Sequence, residues 1–473
     1  MFAETNNETM LIRFTIENFL SFREKQVFSM IPGKGSLKSH HKSTPVKGVS
    51  ALKVGVIYGA NASGKSNLIK AIDFGKKTVL SGTKPGQPIT TSFFKLDKKF
   101  LNKPSYIEYE IQHKGKNYAY GFILNAKEIV DEWLFEISKS GETKIFERKN
   151  TVEYDLDFLF KKNNTSKEKQ FIEFTAKGTP RNQLFITQII NTNVIDNVTD
   201  IQDILNVIDW FQNALTVIYP GTKNISKKFE LHKDTNLQQV FKEMLEYFDT
   251  GIDGIEFKEV DFDKMDIPTE VKEDIKNDLF NEKSEKTSAF LSNPQDDKYY
   301  VISKTDDFNL QAKLLKTKHK VIGGGYELFD LNDESDGTRR IMDIIPLMID
   351  FFKGENVFVV DEIESSLHPN LVKDFFEFIL DKCEKINSQI IVSSHEATLL
   401  TQKLLRKDEI WFVVKNREGA TQLHSLEDYN VRFDKEIMKD YLLGRFKGVP
   451  KLGNRNQLTI LPINKSCQES LYH

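Results

Sequence analysis

Eight residues, Gly59-Ala60-Asn61-Ala62-Ser63-Gly64-Lys65-Ser66, carry the clearest chemistry in this 473-residue chain. Their spacing fits G-x-x-x-x-G-K-[ST], a loop whose backbone N–H groups wrap a polyphosphate while a helix N-terminus adds its positive end. In such a loop Lys65 reaches the β- and γ-phosphates and the Ser66 hydroxyl holds Mg²⁺; Asn67 follows at the first turn of the expected helix. The flanks agree. Val54-Gly55-Val56-Ile57-Tyr58 is a short apolar run that reads as a buried strand, and Asn67 to Ile72 carries apolar residues at helical spacing. A nucleoside triphosphate is the expected ligand.

Further candidates lie nearly three hundred residues on. Val357-Phe358-Val359-Val360 is an apolar strand ending in Asp361-Glu362. At the end of a strand beside the phosphate loop, Asp361 can hold Mg²⁺ through water and Glu362 can deprotonate an attacking water. A second apolar strand, Gln389-Ile390-Ile391-Val392, runs into Ser393-Ser394-His395-Glu396. There His395 could reach the γ-phosphate, while Ser394 could equally serve as a cap. Upstream, Glu334-Ser335-Asp336-Gly337-Thr338-Arg339-Arg340 opens a helix, so that Ser335 and Gly337 offer a hydroxyl, free N–H groups and a positive helix end to an anion.

These groups need a sheet that gathers them. The two later strands are continuous apolar runs, as in a parallel sheet covered on both faces. Around them, Leu11 to Ile16 alternates, Gln26 to Met30 reads as its partner, and Tyr106 to Ile111 with Tyr118 to Leu124 forms a hairpin, continued by Ile129 to Ser138 and Thr143 to Arg148. The stretch Ser81 to Ser92 is a loop. From about 151 to 317 the chain turns Lys- and Asn-rich, as in Lys161-Lys162-Asn163-Asn164, with helical patterns at Ile201 to Ala214 and Leu237 to Phe248. A turn at Gly323-Gly324-Gly325, a helix from Gly337 to Phe352 and a terminal hairpin of Ile410 to Val414 with Thr421 to His424 complete the chain. The expectation is an α/β head in two halves, 10–150 and 318–473, split by a mostly helical insertion at 151–317. No internal repeat is visible.

Composition narrows the class. Charged residues make up 29% and apolar ones 39%, with a net charge of −3, so no global field draws the chain to nucleic acid or an anionic membrane. From Lys25 to Ile72, however, Asp and Glu are absent while seven lysines from Lys34 to Lys70 fall there; a basic rim around the triphosphate is the expected reason, and a nucleic-acid or partner patch is the alternative. Cys383 and Cys467 are too few and too far apart for a disulfide framework or a zinc site. The most apolar helical run, Ile341 to Phe352, is broken by Asp343, Pro346 and Asp350, so no membrane span is expected. Met1 to Met10 lacks the layout of a signal peptide, and a cytoplasmic location is the expectation.

The serine–glycine helix opening resembles the signature motif of ATP-binding-cassette (ABC) ATPases. The order of Gly59 to Ser66, Ser335 to Gly337, Val357 to Glu362, the D-loop-like Ser365-Ser366-Leu367-His368-Pro369 and His395 is similar to theirs. The wide gap after Lys65 resembles the split cassettes of RecF, SMC and overcoming-lysogenization-defect (OLD) proteins. Ile16-Glu17-Asn18-Phe19-Leu20-Ser21-Phe22, Asp408-Glu409-Ile410-Trp411-Phe412 and Tyr441-Leu442-Leu443-Gly444-Arg445-Phe446 narrow the likeness to the AAA_15/AAA_21 group, which includes ATPase subunits of anti-phage systems of the RloA and AbiL type.

That resemblance implies an ABC-type P-loop ATPase head with a mixed sheet, using ATP and Mg²⁺. It implies a homodimer in which one protomer's Ser335–Gly337 turn covers the other's nucleotide. Gln87 is the candidate for the metal-contacting glutamine; Phe22 could stack on the base or lie in the core. The OLD proteins' Toprim nuclease needs an Asp-x-Asp cluster. The region after His395 has no Asp-x-Asp, Glu427-Asp428 and Asp440 are isolated, and the tail from Lys451 is acid-poor, so a nuclease would be a separate effector. The expected function is an ATP-driven sensor or regulator of such an effector. A RecF/SMC-like clamp with DNA as its partner is the alternative, a scaffold with negligible turnover the third, and a transporter motor has no coupling lobe to support it.

Overall fold

The computed structural model describes residues 8–161, 165–192, 194, 198, 201–223, 231–232, 234–280, 288–293, 297–305, 309–429, 437–446 and 448. Residues 1–7, Lys162 to Asn164, the tail from Lys451 and Cys467 lie outside the described residues.

The chain opens with β1 (Met10–Glu17) and β2 (Gln26–Ser29), then reaches β3 (Val54–Tyr58) and α1 (Lys65–Leu80). Five more strands follow: β4 (Ser105–His113), β5 (Lys116–Leu124), β6 (Ile129–Ser138), β7 (Gly141–Lys149) and β8 (Glu153–Asp155). Together with β1 and β2 they form an antiparallel sheet in the order β2-β1-β4-β5-β6-β7-β8. Alternating burial along β4 and β6 shows why: one face packs on the core and the other meets solvent.

Next come α2 (Asp157–Lys161), α3 (Ser166–Gly178), α4 (Phe185–Asn191), α5 (Gln202–Asp209), a π-helical turn (Trp210–Ala214) and β9 (Leu215–Ile218). Then follow α6 (Thr235–Tyr247), β10 (Gly254–Val260), α7 (Thr269–Phe280), β11 (Ser288–Asn293), β12 (Lys298–Lys304), β13 (Leu310–Lys320) and β14 (Tyr326–Phe329). The β13–β14 turn falls at the triple glycine, as expected. Helices α3 to α5 share the core of the antiparallel sheet through Ile172, Phe185 and Ile204. The sheet β10-β13-β12-β11 has a small core of its own around Phe262, Tyr300, Ile302 and Leu314. This sheet is the main element that the lysine-rich sequence concealed.

The chain ends with α8 (Asp336–Lys353), β15 (Val357–Val360), α9 (Pro369–Lys382), β16 (Gln389–Ser394), β17 (Ile410–Lys415), β18 (Thr421–Ser425) and α10 (Ile437–Leu442). The central sheet runs β18-β17-β3-β16-β15-β9; all its pairings are parallel except β17 with β18. Its side chains alternate between two cores. Ile57, Val357, Val359, Ile391 and Trp411 face the antiparallel sheet and α1, whereas Val56, Phe358, Val360, Ile390 and Phe412 face α8 and α9. Full burial of each such side chain stabilises the fold by about 1.5–3 kcal/mol. Phe22 lies wholly in the first core, so its role is packing.

The two late sequence motifs are structural too. Phe446 stacks on Phe412 at 5.0 Å, and buried Glu409 meets His41 at 2.7 Å. The Gln389 side chain joins the sheets: its Oε1 accepts from Leu11 N at 2.8 Å, and its Nε2 donates to Leu11 O at 3.0 Å and Leu52 O at 2.7 Å. Gln389→Leu strands three buried backbone groups and is expected to destabilise the protein by about 2–4 kcal/mol. A thermal melt reads this directly; an unchanged midpoint would contradict it.

Candidate functional site

The loop after β3 is shaped by two close approaches. Gly64 has φ 117°, and a Cβ there would lie 2.3 Å from Thr421 Oγ1. At Gly59 a Cβ would lie 2.5 Å from Val413 O. Only glycine fits either position, so the backbone packs flat against the terminal hairpin and opens on its other side. Lys65, the first residue of α1, is 4% exposed and donates from Nζ to Gly59 O at 2.8 Å and Ala60 O at 3.4 Å. Burial pushes its pKa down to about 8, against the pull of Glu362, Glu364 and Asp361. The ammonium rests on its own loop's carbonyls, placed to turn towards a stronger anion.

At the end of β15, Asp361 is buried and accepts from Ser393 Oγ at 2.6 Å; the same oxygen accepts from Glu362 N at 2.8 Å. Glu362 adopts φ 50°, a left-handed conformation uncommon for a non-glycine residue, which turns the chain sharply as the strand ends. One strand over, His395 N donates to Glu364 Oε1 at 2.5 Å. Burial first, then the Lys65 cation, lowers the His395 pKa, so its imidazole is neutral at pH 7. Ser394 Oγ accepts from Glu396 N at 2.9 Å and closes a tight turn, and the cap of the short helix that follows is Glu396, not Ser394.

These pieces line one cleft of about 450 Å³: Asn61, Ala62, Ser63, Gly64, Lys65, Ser66, Asn67, Glu362, His395 and Lys415. Gly59 lies at the root of the loop and Asp361 just beneath the surface. The cleft fits a polyphosphate by its backbone cradle and its buried, carbonyl-bound ammonium. For Mg²⁺ the donors at hand are hard oxygens, the Ser66 hydroxyl and the Asp361 carboxylate. No three His, Cys, Asp or Glu side chains form a self-sufficient metal site among the described residues, so such an ion would also need phosphate or water oxygens.

Three sequence candidates lie elsewhere. Ser335 caps α8, accepting from Thr338 N at 3.1 Å, and is exposed. Gly337 sits where a Cβ would come 3.0 Å from Ser366 O, so the α8 N-terminus packs on the D-loop-like segment of its own chain. Neither lines the cleft around Lys65. Gln87 is exposed on the loop after α1, its carbonyl accepting from Asn182 Nδ2 at 2.8 Å, and the cleft does not include it.

The basic rim also needs correction. Of the seven lysines only Lys65 lines the cleft. Lys53 is buried against Glu8 at 2.9 Å, Lys47 pairs with Glu136, and Lys38 and Lys42 donate to Gln402 O and Gly35 O. What the sequence did not reveal is that the terminal hairpin, itself expected, takes part in the site. Lys415, at the end of β17, lines the cleft opposite the catalytic candidates, and Thr421 presses on the loop from below. A lysine ending a strand parallel to β3 was the available signal.

The lowered Lys65 pKa has a consequence for binding. A bound triphosphate stabilises the ammonium, so above pH 8 binding must take up a proton. Affinity is therefore full below about pH 8 and falls as pH rises past it, by up to about tenfold per unit. Titration with a fluorescent ATP analogue on both sides of that pH tests this; affinity that rises with pH would contradict it.

Residues 55–401 match the AAA_21 family model, described as "AAA domain, putative AbiEii toxin, Type IV TA system". A comparison with curated proteins finds no match. Among solved structures, the SMC head domain from Thermotoga maritima is 13% identical, with 88% of this chain and 98% of that one covered and a TM-score of 0.37. An Smc head domain with an extended coiled coil, bound to the C-terminal domain of ScpA and derived from Pyrococcus furiosus, is 15% identical, with 93% and 100% covered and a TM-score of 0.38. Superpositions this loose support no residue-level comparison. No helix among the described residues is long and apolar enough to cross a membrane. The family match runs from the phosphate-loop strand past His395, and with it the parallel sheet makes this an ABC-type P-loop ATPase fold: the chain belongs to the AAA_21 family.

Proposed function

We propose that this protein is an ATP hydrolase whose heads pair over two nucleotides and thereby regulate a separate effector, a nuclease, in prokaryotic anti-phage defence. The observation that carries the reading is the division of the site. Lys65, Glu362 and His395 share one cleft, while the Ser335–Gly337 turn lies outside it, with Ser335 exposed at the N-cap of α8 and Gly337 half-buried against Ser366. A second copy set face to face supplies that turn to the open side of the cleft. The words "Type IV TA system" in the family's description support a defence setting.

In this account the 59–64 backbone wraps the phosphates and Lys65 neutralises them. Ser66 and Asp361 would hold Mg²⁺, which when bound screens phosphate charge. Glu362, fixed through its N–H by Ser393, takes a proton from the attacking water, and neutral His395 donates a hydrogen bond that reads the γ-phosphate. Within 151–317, the sheet β10 to β13 would carry recognition of the trigger: Tyr299, Val301 and Leu315 dock it on the core of α8 and α9, and its other face has a small core of its own. The halves at 10–150 and 318–473 would act as one ATPase unit in the cytoplasm.

Two variants test the reading. Lys65→Ala is expected to lose ATP binding and, with its partner genes present, protection against phage in a plaque assay. Glu362→Gln is expected to bind ATP without releasing phosphate and to accumulate as a dimer by light scattering. A Glu362→Gln protein that stays monomeric with ATP would count against paired heads.

A further inference from the structure

The P-loop is held in shape from 358 residues away. Thr421, the first residue of β18, is wholly buried, and its Oγ1 lies 2.8 Å from both Ser63 O and Ser21 Oγ. Ser21 Oγ also receives Asn67 Nδ2 at 2.7 Å, and Thr421 N donates to Ser21 O at 2.8 Å. A threonine hydroxyl has one proton, and Ser63 O can only accept. The chain therefore runs one way: Asn67 donates to Ser21, Ser21 to Thr421, and Thr421 to the Ser63 carbonyl.

That last bond fixes more than an oxygen. The Ser63–Gly64 peptide is trans, so its C=O and N–H point in opposite directions. Holding the Ser63 carbonyl down on Thr421 turns the Gly64 N–H away from the hairpin, to the side where Gly64 lines the cleft. The methyl matters as well: Thr421 Cγ2 lies 2.8 Å from where a Gly64 Cβ would be, so the side chain fills the space beneath the glycine. Arg23 with Glu418, and Leu423 N with Gln26 Oε1 at 2.9 Å, hold the segment between β1 and β2 that carries Ser21 against the same hairpin.

We infer that Thr421 is a positioning residue for nucleotide binding: with Ser21 as its support, it orients the Ser63–Gly64 peptide so that an N–H meets the phosphates. This rests on the proposed ATP binding and adds the terminal hairpin to that site. Because Thr421 acts through the loop and touches no reacting atom, its effect belongs in affinity rather than turnover.

The test is ATP binding and steady-state hydrolysis by the full chain carrying Thr421→Val, Thr421→Ser and Ser21→Ala, with thermal melts of each. Losing one buried hydrogen bond to the loop is expected to raise Kd and KM about tenfold in Thr421→Val, with kcat changed less than about twofold. Thr421→Ser keeps the hydroxyl and loses only the methyl, so its Kd is expected to stay within about threefold of wild type, and Ser21→Ala weakens binding about threefold. Wild-type affinity in a folded Thr421→Val overturns the inference while leaving the ATPase reading intact. If Thr421→Val does not fold, wild-type affinity in Ser21→Ala overturns it instead. A wild-type protein that binds no ATP removes the ATPase reading itself.

Discussion

The cleft exists because β3, β16 and β15 run parallel in adjacent positions, so their carboxyl ends reach one edge. Tyr58 lies level with Ser394, and Val360 lies level with Val392. Asp361 therefore falls opposite Ser393, where the 2.6 Å hydrogen bond forms, and Glu362 turns over the top of the same serine. A slip of one residue in either ladder would carry Asp361 or the P-loop to the wrong height and exchange the two buried faces. Ligands in open α/β sheets gather at this edge for the same reason. The outer neighbours extend it, with β17 delivering Lys415 on one side and β9 supporting Asp361 N through Ile218 O on the other.

The site is assembled against local cost. Glu362 occupies a left-handed conformation, Ala62 has φ 61°, and Lys65 is a buried cation resting on carbonyls. Each is unfavourable alone, and each becomes useful when an anion enters. The remainder of the fold supplies the rigidity that holds them: two cores clamp the central sheet, and Gln389 stitches the antiparallel sheet to it. The terminal hairpin then closes the phosphate loop from beneath, so residues from both ends of the chain define one small volume.

Much of this was legible in the sequence where the signal is local. The P-loop with its strand and helix, the Val357 to Val360 strand with its two carboxylates, and the hairpins of the antiparallel sheet all carry their own periodicity and turn residues. What failed was non-local. Leu215 to Ile218 continues an apolar helical run without a break, so a four-residue strand is hidden by its neighbour. The lysines of 25–72 are spread by the fold to carbonyls and carboxylates far apart in sequence, and composition alone could not assign them. Thr421 reads as an ordinary strand residue until the fold brings Gly64 against it.

The central claim is that the site is shared between two copies. Its most direct test mixes two full-length variants, Lys65→Ala and Ser335→Arg, each expected to be inactive in phosphate release alone. Their mixed dimer retains one intact pairing of Lys65 with the other chain's Ser335, so mixing should restore hydrolysis. A mixture as inactive as its components, or a Ser335→Arg protein with wild-type turnover, would contradict the account.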